Sequence, residues 1–328
     1  MSYLILGSNS FAGGSFVNYL LSEGHKVLGI SRSPQTPAIF QPYFNHTNLN
    51  LYQFSQCDLN HDSKDIESIV RKHKPKYVVD FAGQGMVAES WINPEQWYLT
   101  NVASKVKLHE CLRQCDFLER YIRVSTPEVY GSTVGCVTED TRYHPSTPYA
   151  VSHAAIDMSL MTYFKQYQFP VILTRFANFY GPHQQLYRIV PSTIIYALTQ
   201  QKLPLHGGGY AKRAFIHGHD VAVAIDQVIH KGKIGDIYHF SADVPLAIRD
   251  LVSKICSIMQ VDFTSLVVSS DDRPGKDAHY EMNTSKARKE LGWKPSYSLE
   301  NGLNQTVSWI KNNLEIIKTL PLNYIHQP

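Results

Sequence analysis

Tyr149 and His153 lie four residues apart in the stretch PYAVSH, shortly after the segment STPEVYG at residues 125–131. Residues four apart on a helix share a face, so the phenol and the imidazole are predicted to lie side by side. A tyrosine can take a proton from a sugar hydroxyl as hydride leaves the same carbon, provided that a nearby cation lowers its pKa. The spacing predicts a helix-borne acid/base pair beside a bound nicotinamide.

Thr126 and Glu128 complete the candidate catalytic set. Both follow the predicted strand 121–125, whose end would face the bound nicotinamide in a parallel sheet. Thr126 can hold the sugar hydroxyl that Tyr149 deprotonates. A carboxylate such as Glu128 can remove an acidic proton alpha to the new ketone.

Alternating apolar runs and amphipathic stretches predict the elements that position these residues. Strands are predicted at residues 3–6, 26–30, 77–81, 121–125 and 171–176, and helices at 13–22, 62–73, 94–115 and 149–167. This alternation predicts an α/β fold with a Rossmann-type, doubly wound parallel sheet that binds ligands at the carboxyl ends of its strands. Prolines and glycines break the rhythm after about residue 181. We therefore expect an NAD(P)-binding domain at 1–180 and a smaller substrate-binding lobe at 181–328 that partly returns to it.

The first predicted strand runs into the glycine-containing turn GSNSFAGG and then into a helix. Exposed amides and a helix N-terminus favour a pyrophosphate, although Ser10 replaces the usual middle glycine and a plain strand–helix turn is the alternative. The predicted cofactor-binding residues are Gly7, Asn9, Ser10, Phe11, Gly13, Arg32, Asp58, Leu59, Phe81, Ala82 and Gly83, together with Tyr149 and His153.

The residues after the second strand bear on the choice of cofactor. NAD sites usually have Asp or Glu there, whereas an Arg suits the additional phosphate of NADP. The sequence ISRS, with Arg32 and no acid, favours NADP with Arg32 on the 2′-phosphate. NAD with a solvated Arg32 is the alternative. Asp58 could cap the adenine edge or simply begin the next helix.

The order of these motifs resembles extended short-chain dehydrogenase/reductases that act on nucleotide sugars, above all the dTDP-glucose and GDP-mannose 4,6-dehydratases. The resemblance covers nearly the whole chain, through FAGQGMVAESWINP, STPEVYG, PSTPYAVSH, RFANFYGP, LPLHGGG, KRAFIHGHDVA, DRPGKDAHY and SKARKELGWKP. It implies oxidation at C4 assisted by Tyr149 and Thr126, elimination of water across C5 and C6 with Glu128 as base, and hydride return to C6. It also implies a homodimer through a four-helix bundle, and substrate contacts from Gln84, Asn178, Arg188, Arg213 and Arg273.

Two positions depart from the family pattern. Pro127 stands where the dTDP-glucose enzymes have an Asp that protonates the leaving hydroxyl, so Glu128 could deliver that proton, or the product could be a 5,6-unsaturated sugar. His153 stands where the family has a Lys whose fixed charge lowers the tyrosine pKa. Because histidine is mostly neutral at pH 7, we expect a less acidic Tyr149 and a different pH optimum. An epimerase, a decarboxylase and a catalytically reduced nucleotide-sugar-binding protein are the alternatives.

Composition and charge argue against several other classes of function. With a net charge of +3 over 328 residues and no block of like charge, the chain is not expected to bind nucleic acid. No apolar run approaches the ~20 residues that span a bilayer, and no leader is evident, so a cytoplasmic location is predicted. His217 and His219 have no evident third ligand, and the five cysteines have no metal-ligand spacing, so no metal is expected. The tail LPLNYIHQP carries no signal.

Overall fold

The computed structural model describes residues 2–133, 135–140, 142–242, 244–271 and 281–328. Its centre is a seven-stranded sheet in the order β12-β7-β5-β4-β1-β2-β3, in which every neighbouring pair is parallel. The strands are β1 (Tyr3–Leu6), β2 (Val27–Ser31), β3 (Tyr52–Gln56), β4 (Tyr77–Asp80), β5 (Arg120–Ser125), β6 (Cys136–Val137), β7 (Val171–Phe176), β8 (Asn178–Tyr180), β9 (Leu203–His206), β10 (Lys212–Arg213), β11 (Phe215–His217), β12 (Ile237–Phe240), β13 (Leu246–Ala247), β14 (Val267–Ser270) and β15 (Glu281–Met282).

Helices cover both faces of this sheet. They are α1 (Phe11–Ser22), α2 (Ser63–His73), α3 (Pro94–Tyr98), α4 (Ser104–Arg113), α5 (Pro148–Tyr167), α6 (Ile189–Leu198), α7 (Gly218–Lys231), α8 (Ile248–Met259), α9 (Phe263–Leu266), α10 (Leu299–Asn312) and α11 (Leu314–Ile317). The predicted fold class is confirmed. The buried runs YLIL and VLGIS form β1 and β2 because a parallel sheet covered on both faces requires strands that are apolar on both sides.

Two hydrophobic cores hold the helices against the sheet. On one face, Phe16 and Leu20 of α1 pack with Val221 and Ile225 of α7. The other face carries α2, α4 and α5, and its buried side chains are Ile66, Val70, Leu108, Leu112 and Leu160. A further core joins α6, α8 and α10 beyond the sheet. The boundary at residue 180 stays a prediction, and β12 pairs with β7 inside the central sheet.

The predicted helix 94–115 differs in the structure. It consists of α3, a π-helical turn at Leu99–Ala103, and α4. Asn101 lies in that turn and is fully buried. Its side chain accepts from the Gln84 amide at 2.8 Å and donates to the Gln84 carbonyl at 3.0 Å. The irregular turn is therefore the part of this helical segment that contacts the loop after β4. Within the described ranges, no helix is both long enough and apolar enough to cross a bilayer.

Candidate active site

The turn after β1 brings the backbone close to the neighbouring strand end. Gly7 has φ +78°, and its amide donates to the Ile30 carbonyl at 2.7 Å. A Cβ at Gly7 would lie 2.8 Å from the Ala82 nitrogen, and one at Gly13 would lie 2.3 Å from the Gly7 oxygen. Ser10 is the N-cap of α1 and accepts from the Gly13 amide at 3.0 Å. Ser10, at the position where the motif usually has glycine, caps α1 with its side chain, and the turn remains tight.

Asn9 links this turn to the loop after β2. Its side-chain amide donates to the Ser33 carbonyl at 3.1 Å and to the Pro34 carbonyl at 2.8 Å. The Asn9 Oδ1 is buried without a hydrogen-bond partner in the described part of the chain. The first-turn amides of α1 also lack acceptors within the helix. The turn therefore fits a dinucleotide, whose phosphates accept hydrogen bonds and whose hydroxyls donate them.

Arg32 is a predicted cofactor-binding residue and Gln84 a predicted substrate-binding residue, and both contact the C-terminal tail. Arg32 donates to the Gln327 carbonyl at 2.9 Å and also to Pro328. Gln84, which is 2% exposed, donates to the same Gln327 carbonyl at 2.9 Å. His326 stacks on Trp97 with ring centroids 5.3 Å apart. Sequence reasoning missed these contacts because the tail has no periodic pattern.

The remaining predicted cofactor residues line the same edge of the sheet. Asp58 accepts from the Asn60 amide at 2.7 Å just before α2, a local turn that matches the helix-start alternative. Leu59 is 9% exposed and belongs to the core beneath α2, and Phe11 is 7% exposed in α1. Phe81, Ala82 and Gly83 form the loop after β4.

The structure brings the four candidate catalytic residues together. Tyr149 is the second residue of α5, and its ring centroid lies 4.6 Å from that of His153. Thr126 follows β5 and caps the 3-10 turn Pro127–Tyr130 by accepting from the Glu128 amide at 3.2 Å. Thr126 and Glu128 both lie close enough to Tyr149 to influence its pKa.

Burial keeps both members of the helical pair neutral. It raises the pKa of Tyr149, and the charge of Glu128 raises it further, while Thr126, Arg188 and Arg123 lower it. Burial also holds the pKa of His153 well below its usual value, and the charges of Arg123 and Lys105 act in the same direction. The site thus contains a protonated phenol and a neutral imidazole, and Tyr149 must lose its proton before it can act as the base for a substrate hydroxyl.

Comparison with known proteins places this geometry in a family. Residues 4–306 match the model of the GDP-mannose 4,6 dehydratase family. The chain belongs to this family. A dTDP-glucose 4,6-dehydratase of Xanthomonas campestris is 30% identical over 95% of the chain and 93% of that protein.

Solved structures agree with the family match. The dTDP-glucose 4,6-dehydratase of Bacillus anthracis, in complex with NAD, is 31% identical with a TM-score of 0.85, covering 96% of this chain and 98% of that one. The enzyme of the same name from Streptomyces venezuelae, also with NAD bound, is 29% identical with a TM-score of 0.86 and the same coverage. The predicted family, the nicotinamide cofactor and the nucleotide-sugar 4,6-dehydratase reaction, a lyase activity, are confirmed.

The substrate residues predicted for this dehydratase lie on several elements. Asn178 begins β8, and Arg213 in β10 donates to the Lys212 carbonyl at 2.8 Å. Arg188 is exposed just before α6, and its charge reaches Tyr149. Arg273 lies outside the described residues. His217 stacks on Tyr297 at 4.1 Å, and the described residues contain no group of three or more metal-ligating side chains.

A buried ion cluster beneath the site was not predicted. It consists of Asp80, Lys105, Arg123, Asp157 and Arg175, each at most 1% exposed. The Lys105 Nζ lies 2.7 Å from Asp80 Oδ2, and the Arg175 Nη2 lies 3.2 Å from Asp157 Oδ2. Arg123 lies between them, with Nη1 3.4 Å from Asp80 Oδ2 and Nε 3.9 Å from Asp157 Oδ1. The sequence did carry a signal for this cluster, because Asp80 ends the apolar strand YVVD and Arg123 lies within the strand RYIRVS.

Proposed function

We propose that this chain converts a nucleoside-diphosphate hexose with hydroxyls at C4 and C6 into its 4-keto-6-deoxy derivative. The observation that carries the proposal is that Thr126 and Glu128, in the turn after β5, lie near Tyr149 at the start of α5, at the carboxyl edge of the sheet. A bound nicotinamide would supply the hydride acceptor for C4 and the hydride donor for C6.

The protein groups move the protons. Tyr149 takes the proton of the C4 hydroxyl, and Thr126 holds the same oxygen in place. The new C4 ketone acidifies the C5 proton, which Glu128 removes. Because Pro127 has no ionisable group, Glu128 also delivers a proton to the departing C6 hydroxyl, which suits a syn elimination. When hydride then adds at C6, C5 takes up a proton from solvent, and Tyr149 releases the C4 proton to solvent.

Product analysis tests this reaction. The protein is incubated with dTDP-, UDP-, GDP- and CDP-hexoses, and the products are followed by mass. Loss of one water with any of them supports the proposal, and NMR then separates a 4-keto-6-deoxy product from a 5,6-unsaturated one, which has the same mass. Unchanged mass with an inverted centre would indicate an epimerase, and loss of carbon dioxide from a hexuronate a decarboxylase. Bound cofactor without any conversion would contradict the proposal.

For the cofactor, we infer a preference for NADP, with the Arg32 guanidinium on the 2′-phosphate. The loop from Ser31 to Ser33 offers a cation and no carboxylate at the end of β2. A phosphate bound there would have to replace the carbonyls of Gln327 and Pro328 that now accept from Arg32. The hydrogen bonds of a guanidinium to a charged phosphate are stronger than its hydrogen bonds to neutral carbonyls.

Arg32→Ala is expected to weaken NADP binding by about 10- to 100-fold, because a charge-assisted hydrogen bond to phosphate is lost. NAD binding should change little. Fluorescence titration of cofactor-free protein measures both affinities, and Arg71→Ala, which removes an exposed arginine paired with Glu67 on α2, is the control. An equal loss of affinity for NADP and NAD, or no loss of affinity for NADP, would show that Arg32 does not bind the 2′-phosphate.

We also propose a homodimer in which the helical segment of α3 and α4, together with α5, forms a four-helix bundle with the same two segments of a second copy. Val151 and Met158, seven residues apart on α5, are 37% and 52% exposed. Ile92 and Leu99 precede α4 with the same spacing and are 74% and 47% exposed. Ile92 lies in the turn before α3 and Leu99 in the π-helical turn after it, and both α3 and α4 pack against α5. A reducing cytoplasmic location remains part of the proposal, supported by five free cysteines.

Met158→Glu is expected to raise the dimer dissociation constant at least ~100-fold, because it would bury an unpaired charge between the subunits. Light scattering coupled to size-exclusion chromatography measures the mass. Ile316→Glu alters an equally exposed side chain on α11 and should leave the dimer intact. A monomeric wild-type protein, or a dimer that tolerates the charge at position 158, would contradict this interface.

A further inference from the structure

Arg123 contacts the one residue of the catalytic set that departs from the family. Its Nη2 lies 3.0 Å from Nδ1 of His153, and the contact is buried. A guanidinium has only donors, so Nδ1 of His153 must be the acceptor. A neutral imidazole that accepts at Nδ1 carries its proton on Nε2. The contact therefore fixes the tautomer of His153.

The buried cluster around this contact contains more cations than carboxylates. Lys105, Arg123 and Arg175 are three cations, and Asp80 and Asp157 are two carboxylates, so this buried cluster carries one net positive charge. Arg123 is 1% exposed, which means that water screens its charge poorly. Its charge lowers the pKa of Tyr149, though less than the charge of Arg188 does, and it adds to the burial that keeps His153 neutral. A fixed cation therefore lies beneath the helical pair.

We propose that Arg123 is a positioning residue that supplies the fixed charge of this active site, while His153 supplies only the neutral Nε2–H donor. The two tasks of the family lysine, a hydrogen bond to the nicotinamide ribose and a positive charge near the tyrosine, are divided between two residues. Asp80 and Asp157 hold Arg123 in place from β4 and α5. This inference rests on the proposed function only for its catalytic consequence.

The charged groups around His153 should keep it neutral over a wide pH range. Arg123 from β5 hydrogen-bonds the imidazole, Lys105 from α4 acts on it by charge, and Tyr149 from α5 lies beside it. Asp80 of β4 and Asp157 of α5 pair with the two cations, and the charge of Glu128, in the turn after β5, acts on Tyr149. The nearest charged group to the imidazole is the guanidinium, which opposes its protonation and cannot itself lose a proton. His153 should therefore remain neutral where ordinary histidines titrate.

Nitrogen-15 NMR of histidine-labelled protein with its cofactor tests the tautomer without any measurement of turnover. The His153 signals are identified among 15 histidines by their loss in His153→Gln. We expect the Nε2–H tautomer and no titration between about pH 5 and 8. An Nδ1–H tautomer, or protonation within that range, would overturn the proposal even if the enzyme proved to be a dehydratase.

Moving the positive charge from position 123 to position 153 tests whether Arg123 supplies the fixed charge. His153→Lys alone places an ammonium against the guanidinium, and Arg123→Leu alone removes the cation, so each should lower kcat. Arg123→Leu/His153→Lys restores one cation beside Tyr149 and should exceed either single variant by at least about tenfold in kcat. A double variant no better than both singles would contradict the proposal.

Arg175→Leu/His153→Lys is the matched control. Arg175 is equally buried and pairs with Asp157, but its guanidinium contacts Tyr130 and Tyr143 instead of His153. It should therefore fail to rescue the lysine variant. Rescue by both leucine substitutions would indicate general relief of buried positive charge and would count against a specific role of Arg123. If the leucine variants do not fold, the NMR measurement on the intact cluster still decides.

Discussion

Glu128→Gln is expected to lower the rate of dehydration by about 100- to 10,000-fold, the range for loss of a general acid or base. Glutamine keeps the size of the side chain but cannot accept the C5 proton or return it to the leaving hydroxyl. Oxidation at C4 does not need Glu128, so reduced nicotinamide should appear when the sugar nucleotide is added and should then persist. Absorbance of the reduced cofactor and the mass of the product measure the two steps separately.

Glu139→Gln is the control for this variant. Glu139 has the same side chain, lies in the segment between β5 and α5, and accepts from the His239 amide at 3.2 Å. It is not among the groups whose charge shifts the pKa of Tyr149. Its replacement should leave dehydration nearly unchanged. If Glu128→Gln retains dehydration, or if it abolishes C4 oxidation as well, Glu128 is not the base at C5.

Tyr149→Phe is expected to reduce turnover by about 100- to 10,000-fold at an earlier step, because the proton of the C4 hydroxyl then has no acceptor. In contrast to Glu128→Gln, no reduced nicotinamide should accumulate. Tyr163→Phe is the control, since Tyr163 lies on the same helix and its hydroxyl donates to Glu110 at 3.3 Å. Reduced cofactor in Tyr149→Phe at the wild-type rate would exclude Tyr149 as the base.

The same tyrosine gives the wild-type enzyme an expected pH dependence. The pKa of Tyr149 is raised by burial and by Glu128, so the reactive phenolate is scarce at neutral pH and becomes more abundant as the pH rises. The single-turnover rate of C4 oxidation should therefore increase between about pH 7 and 9, below the raised pKa. A flat profile over that range would mean that bound ligand lowers the pKa of Tyr149 below neutrality.

Much of the fold was predictable because its signals are local. Apolar runs such as YLIL predicted strands, and the amphipathic stretches between them predicted covering helices. Thr126, Glu128, Tyr149 and His153 were also found from sequence, since they lie at the end of one strand and the start of one helix. Spacing along a short segment fixes which of these side chains share a face.

The contacts that only the tertiary structure decided join residues far apart in the chain. Arg123 and His153 are 30 positions apart, Lys105 and Asp80 are 25 apart, and Arg32 and Gln327 are 295 apart. No periodic pattern marks such pairs, because which charges meet depends on the order of β4, β5 and β7 in the sheet and on the packing of α4 and α5 against it. The sequence by itself determined the reaction class and the candidate residues for its proton transfers. The folded chain decided where the fixed positive charge lies.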